Sequence, residues 1–143
     1  MKKEILIMAV TLSLTSAASA PVWAANTGGT ADIPAAGDYT GQVVTAVTGD
    51  ASNQTVVIDT NVTKNVYGGY ISNSGNTGNV NGNTVTVTGG TSIGSALYGG
   101  YTKGTGSASS NILYINGDAG NNVWGGKTSG DNADNNKVYI TGG

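Results

Sequence analysis

The chain of 143 residues has no cysteine, no histidine, no phenylalanine and no arginine. Without cysteine no disulfide can brace it. Without histidine, and with Glu4 as its single glutamate, its acid–base chemistry reduces to seven aspartates. Serine and threonine are plentiful, yet no side chain suits the role of their usual base. The sequence therefore assigns no catalytic, cofactor-binding or metal-ligating residue, and the expectation is a non-enzyme that needs no cofactor. Nucleic acid is excluded as a partner because the six lysines form no basic patch.

Long apolar runs are also scarce, and the one present opens the chain. MKKE is followed by ILIMAVTLSLTSAASA and then by VWA at 22–24. A short positive start, an apolar stretch and small residues before a cut describe a secretory signal peptide. The stretch is too short and too rich in Ser and Thr to span a membrane comfortably. Pro21 disfavours cleavage after Ala20, so residues 1–24 are read as the leader. Residues 25–143 carry four lysines and seven aspartates, a net charge of −3, together with all 24 glycines. Such Gly, Asn, Ser and Thr density ordinarily marks a flexible, disordered surface segment, which stays as one alternative.

Periodicity argues otherwise. NTVTVTGG at 83–90 has counterparts in QTVVIDTN at 54–61, NILYINGD at 111–118 and NKVYITGG at 136–143. Each begins with an amide and carries apolar residues two and four positions later: Val56/Ile58, Val85/Val87, Leu113/Ile115 and Val138/Ile140. That alternation predicts half-buried strands. A second signal follows each one: NVYGGY at 65–70, ALYGGY at 96–101 and NVWGGK at 122–127. The amides at 54, 83, 111 and 136 give spacings of 29, 28 and 25 residues. Two short strands per repeat of this length predict an all-β parallel β-helix, or β-solenoid, of about four short coils. Stacking would align Val56, Val85, Leu113 and Val138 in one inner row about 4.8 Å apart. Ile58, Val87, Ile115 and Ile140 form a second row, and Val66, Leu97 and Val123 a third. Glycine at the turns would accept positive φ or close backbone approach. Asparagines near the corners would take left-handed conformations and bond their own backbone.

Residues 25–42 fall outside the repeat and are expected to form a flexible lead-in. VVTAVT at 43–48 is expected as a first, irregular strand covering the end of the stack. The solenoid then occupies 43–143. Its fourth repeat stops before its aromatic–Gly–Gly, so the array is expected to be truncated at its C-terminus, leaving an open sheet edge.

Two motifs resolve as structural. GDNADNN at 130–136 holds the closest aspartates, Asp131 and Asp134, but lacks the glycine and closing glutamate of a calcium loop. TVTVT at 84–88 has no threonine counterparts in the other coils, so Thr84, Thr86 and Thr88 are ordinary outward residues. The candidate contact surface is aromatic. Tyr67, Tyr98 and Trp124 would project from one face, with Tyr70 and Tyr101 just past the turn, able to meet sugar rings or a partner protein. The competing reading is that they stack on one another and shield the turn.

A leader, then VYGGY, then a polar run ending in GNTVTVTGGT, resembles the passenger repeats of bacterial autotransporters. The resemblance covers about residues 43–143 and is best over 65–101. It implies a right-handed parallel β-helix exported through the periplasm by type V secretion and shown at the cell surface, at the outer membrane or extracellularly. It also implies dependence on export machinery and on a C-terminal outer-membrane barrel that this sequence does not contain. A structural, adhesin-like role is implied, with host or cell-surface glycans or proteins as partners. A carbohydrate-binding module using the aromatic row is the second alternative. The protease-type Gly-Asp-Ser motif of some members is absent, and Trp124 and Lys127 depart from the tyrosines of the other repeats.

Overall fold

The computed structural model describes Ala24–Ala25 and residues 38–142. The strands are β1 (Ala24–Ala25), β2 (Tyr39–Val44), β3 (Thr55–Ile58), β4 (Val66–Ile71), β5 (Thr84–Val87), β6 (Ala96–Tyr98), β7 (Tyr101–Thr102), β8 (Ile112–Ile115), β9 (Asn122–Trp124), β10 (Lys127–Thr128) and β11 (Lys137–Ile140). No helix occurs among the described residues. The first sheet runs β1-β2-β4-β6-β9, with β7 beside β4 and β10 beside β7; the second runs β11-β8-β5-β3. Every pairing is parallel except that of β1 with β2. Non-consecutive parallel neighbours on two facing sheets make a β-solenoid of about four turns.

The inner rows lie where the alternation placed them. Val56 pairs with Val85, Val85 with Leu113 and Leu113 with Val138, while Ile58, Val87, Ile115 and Ile140 pair likewise. Val66, Leu97 and Val123 form the facing row. An isolated bridge aligns Val62 with Ile93 as well. Apart from Val138 and Ile140, these side chains make the larger core, with Val123 partly buried against it. Each buried Val, Leu or Ile contributes about 1.5–3 kcal/mol relative to exposure, so even a thin interior accumulates stability coil by coil. A smaller core of Ala51, Ile71 and Val80, with Val44 against it, lies apart from the first.

Two boundaries differ from expectation. The first strand does not run over 43–48 but over Tyr39–Val44, so part of the expected lead-in belongs to the solenoid. It pairs with β4 as a full repeat does: Tyr39 with Val66, Gln42 with Gly69, Val44 with Ile71. The motif is disguised because Thr40 and Gln42 stand where the other repeats have an aromatic and a glycine. β1 straddles the expected cleavage point, so a cut after Ala24 would leave only Ala25 of that pairing. The remainder of the leader and lead-in lies outside the described residues. At the far end, all four residues of β11 are exposed, with the inner-row residues Val138 at 42% and Ile140 at 63%.

Candidate functional site: an aromatic and cationic face on the first sheet

The site begins with two glycines. A Cβ on Gly68 would lie 3.0 Å from both the Asn83 Cβ and the Val85 Cγ2, and one on Gly69 would lie 3.0 Å from the Val80 Cγ1. Both positions therefore face inward, and the wall presses against the opposite side of the coil. Gly99 and Gly100 repeat this, 2.8 Å from Asn111 Cβ and 2.8 Å from Val80 Cγ1 respectively. None of these glycines has positive φ; close approach alone requires them. The pinch lies between the two cores.

Its outer consequence is the aromatic cluster. In a regular strand, residues three apart lie on opposite faces. Two successive inward glycines instead leave Tyr67 and Tyr70 on the same outer face, with rings 4.9 Å apart and 26° from parallel. The next coil adds Tyr98, 4.9 Å from Tyr67 at 5°, and Tyr101, 5.4 Å from Tyr70. Tyr98 and Tyr101 stack at 5.3 Å. The third coil supplies Trp124 in register with Tyr98, and Lys127 in register with Tyr101. The Lys127 ammonium lies 4.9 Å from the Tyr101 ring, 5.1 Å from Trp124 and 5.7 Å from Tyr98.

All five candidate contact residues thus share one surface, but unequally. Tyr67 and Tyr70 are buried, Tyr98 and Tyr101 are half-buried, and Trp124 is 43% exposed. Burial, then the Asp38 carboxylate, then neighbouring phenols raise the Tyr67 pKa far above its ordinary value. Burial, Tyr101, Asp38 and Tyr70 raise that of Tyr98. Neutral, stacked phenols are packing groups, not acids or bases, at ordinary pH. Because the Tyr67 and Tyr98 rings face each other, their flat sides are not free to receive a ligand ring. Trp124 takes part in no ring pair among the described residues. A second, smaller stack, Tyr114 on Tyr139 at 5.2 Å, lies outside the second sheet.

The amides that mark each repeat do more than cap corners. Asn83 and Asn111 are fully buried. The backbone N–H and the Nδ2 of Asn83 both donate to the Asn111 Oδ1 at 3.0 Å, and Asn111 repeats this on Asn136. Gln54 heads the column, its backbone N–H donating to the Asn83 Oδ1. The expectation that corner asparagines bond their own backbone holds for Asn73 and Asn76, whose Oδ1 atoms accept from Gly75 and Gly78. It fails for this ladder, because a buried backbone N–H must find a partner and the nearest acceptor belongs to the next coil. The residue before each ladder amide is left-handed: Asn53, Gly82, Ser110 and Asn135, with φ of 58°, 68°, 58° and 57°. Recurrence of an amide at one repeat position was the signal available; its burial was not.

The GDNADNN run forms an exposed corner, with the Asp131 N–H donating to the Thr105 carbonyl and the Asp134 N–H to the Ser109 Oγ. In comparisons with known proteins, the chain matches no family model, no curated protein and no solved structure.

Proposed function

We propose that this protein is an exported β-solenoid scaffold of the cell surface, structural and adhesin-like, serving as the passenger part of a type V secretion system. The observation that supports this reading is the completion of each coil by the next. Asn83 is satisfied by Asn111, and Asn111 by Asn136, while the strands add in parallel register. A chain built this way can order itself coil by coil as it emerges, with folding as the only driving force. The partners on this reading are the export machinery and an outer-membrane barrel, neither encoded in these residues. The disordered alternative gives way to the paired sheets.

The test is export. Expressed with its leader in a Gram-negative host, the protein should appear in the periplasmic fraction with a mass corresponding to a start at Ala25. Fused ahead of an autotransporter barrel, residues 25–143 should become accessible to protease on intact cells. Retention of the leader in the cytosol, or a fusion that stays shielded, would overturn the proposal.

A further inference from the structure

We infer that Tyr67 and Tyr98 form an oxidative cross-linking site, where a one-electron oxidant such as a haem peroxidase with peroxide joins the two rings in a dityrosine bond between coils. The inference stands apart from the scaffold proposal. Both residues lie inside the stack. Tyr67 pairs with Thr40 on one side and Tyr98 on the other, and Tyr98 pairs in turn with Trp124. The two rings are parallel to within 5°, with centroids 4.9 Å apart. Every other ring pair in this cluster is inclined by 21° or more. In-register parallel strands give both side chains one direction, so the carbons beside the two hydroxyls come to lie next to each other.

Tyrosine is the oxidisable side chain this chain has in number. Beyond residue 24 it has seven tyrosines and Trp124, but no cysteine, methionine or histidine. A disulfide is therefore ruled out as a brace, and stacked phenols are the groups that can supply a covalent one. Oxidation moves one electron from each ring to the oxidant and one proton from each hydroxyl to water. The unpaired electron of a phenoxyl radical is spread onto the carbons beside the oxygen. Two adjacent radicals join there: one C–C bond forms, the two C–H bonds at those carbons break, and their hydrogens return to the phenolic oxygens as the rings regain aromaticity. The protein loses two hydrogens in all, and hydrogen peroxide is reduced to two waters. The Asp38 carboxylate, which opposes a phenolate at Tyr67, favours loss of an electron there because it stabilises positive charge on the ring. Tyr67 is 8% exposed and faces Tyr98, so its radical meets that ring before it meets a second molecule.

Peroxidase and hydrogen peroxide added to the dilute full chain test this. The blue fluorescence of dityrosine should appear while the protein stays monomeric on a denaturing gel. Trypsin then separates the possible products, because no lysine or arginine lies between Lys64 and Lys103. Fragment 65–103 should become lighter by two hydrogens, whereas coupling of Tyr114 with Tyr139 would join fragment 104–127 to fragment 138–143. In Tyr70→Phe/Tyr101→Phe the tyrosines left in fragment 65–103 are Tyr67 and Tyr98, and its mass loss should persist. Oxidation in urea, where the rings are no longer stacked, should lower the yield of this product severalfold. An unaltered fragment 65–103, a product that vanishes in the double variant, an equal yield in urea, or dimers as the main product would each overturn the inference. Phenylalanine keeps every ring, so the circular dichroism of the double variant should match the parent. Should that variant lose its β signal, tandem mass spectrometry of the parent fragment decides instead: a bond between Tyr67 and Tyr98 upholds the inference, and a bond between any other pair overturns it.

Discussion

The side chain of Asn111 receives two hydrogen bonds from Asn83, one from its backbone N–H and one from its Nδ2, both at 3.0 Å and both away from water. The two residues are 28 apart in the chain and adjacent in space. Replacing Asn111 with alanine leaves two buried donors without acceptors, at about 1–3 kcal/mol each. Urea unfolding of Asn111→Ala should show a midpoint well below that of the parent. An unchanged midpoint would mean that the amide column does not hold the coils in register.

The pinch can be tested with two glycines of different kinds. Gly68→Ala drives a Cβ into the Gly99 carbonyl, with Asn83 and Val85 also in the way. Gly90→Ala meets nothing within 4 Å but keeps a φ of 81°. The second should cost about 1–2 kcal/mol, the usual penalty for a left-handed alanine. The first should cost more and should loosen amides of both β4 and β6 in hydrogen exchange. The reverse order would refute the close-packed waist.

An inner-row charge should be worse than either. Val87 has no exposed surface and pairs with Ile58 on one side and Ile115 on the other. Val87→Lys buries an unpaired ammonium and overfills a thin core, beyond about 4 kcal/mol. The far-ultraviolet β signal of residues in that stack should collapse. Its survival at parental intensity would contradict the idea of a dry interior.

Alkali should destabilise the protein through Tyr67 and Tyr98. The folded pKa of Tyr67 lies above its ordinary value of 10.0, chiefly because burial penalises the phenolate. A raised pKa means the native state holds the proton more tightly than the unfolded chain. The stabilisation is therefore complete below pH 10 and is lost progressively above it. The share of the tyrosinate absorbance that belongs to Tyr67 and Tyr98 should rise late and together with loss of structure. Full titration of all phenols near 10, with the fold intact, would show that the cluster is open to solvent.

Much of the fold is legible in the letters. Alternation of period two, repeated every 25 to 29 residues, places Val56, Val85, Leu113 and Val138 in one row, and the strand register agrees. The aromatic–Gly–Gly motif likewise locates the face that carries the candidate site. The repeat that begins near Asp38 carries no such mark, because Thr40 and Gln42 break the motif while preserving the strand.

What the sequence determined by itself was the coil: its length, its two strands and its inward residues, all set by local pattern. Only the tertiary structure decided that Tyr67 and Tyr70 share a face, that Asn83 and Asn111 are sealed inside, and that Lys127 rests over three rings. Those facts depend on atoms a whole coil away. The direction a strand faces after two inward glycines, and the partner of a buried amide, are settled by the opposite wall and the next rung, where chain order carries no local mark of contact.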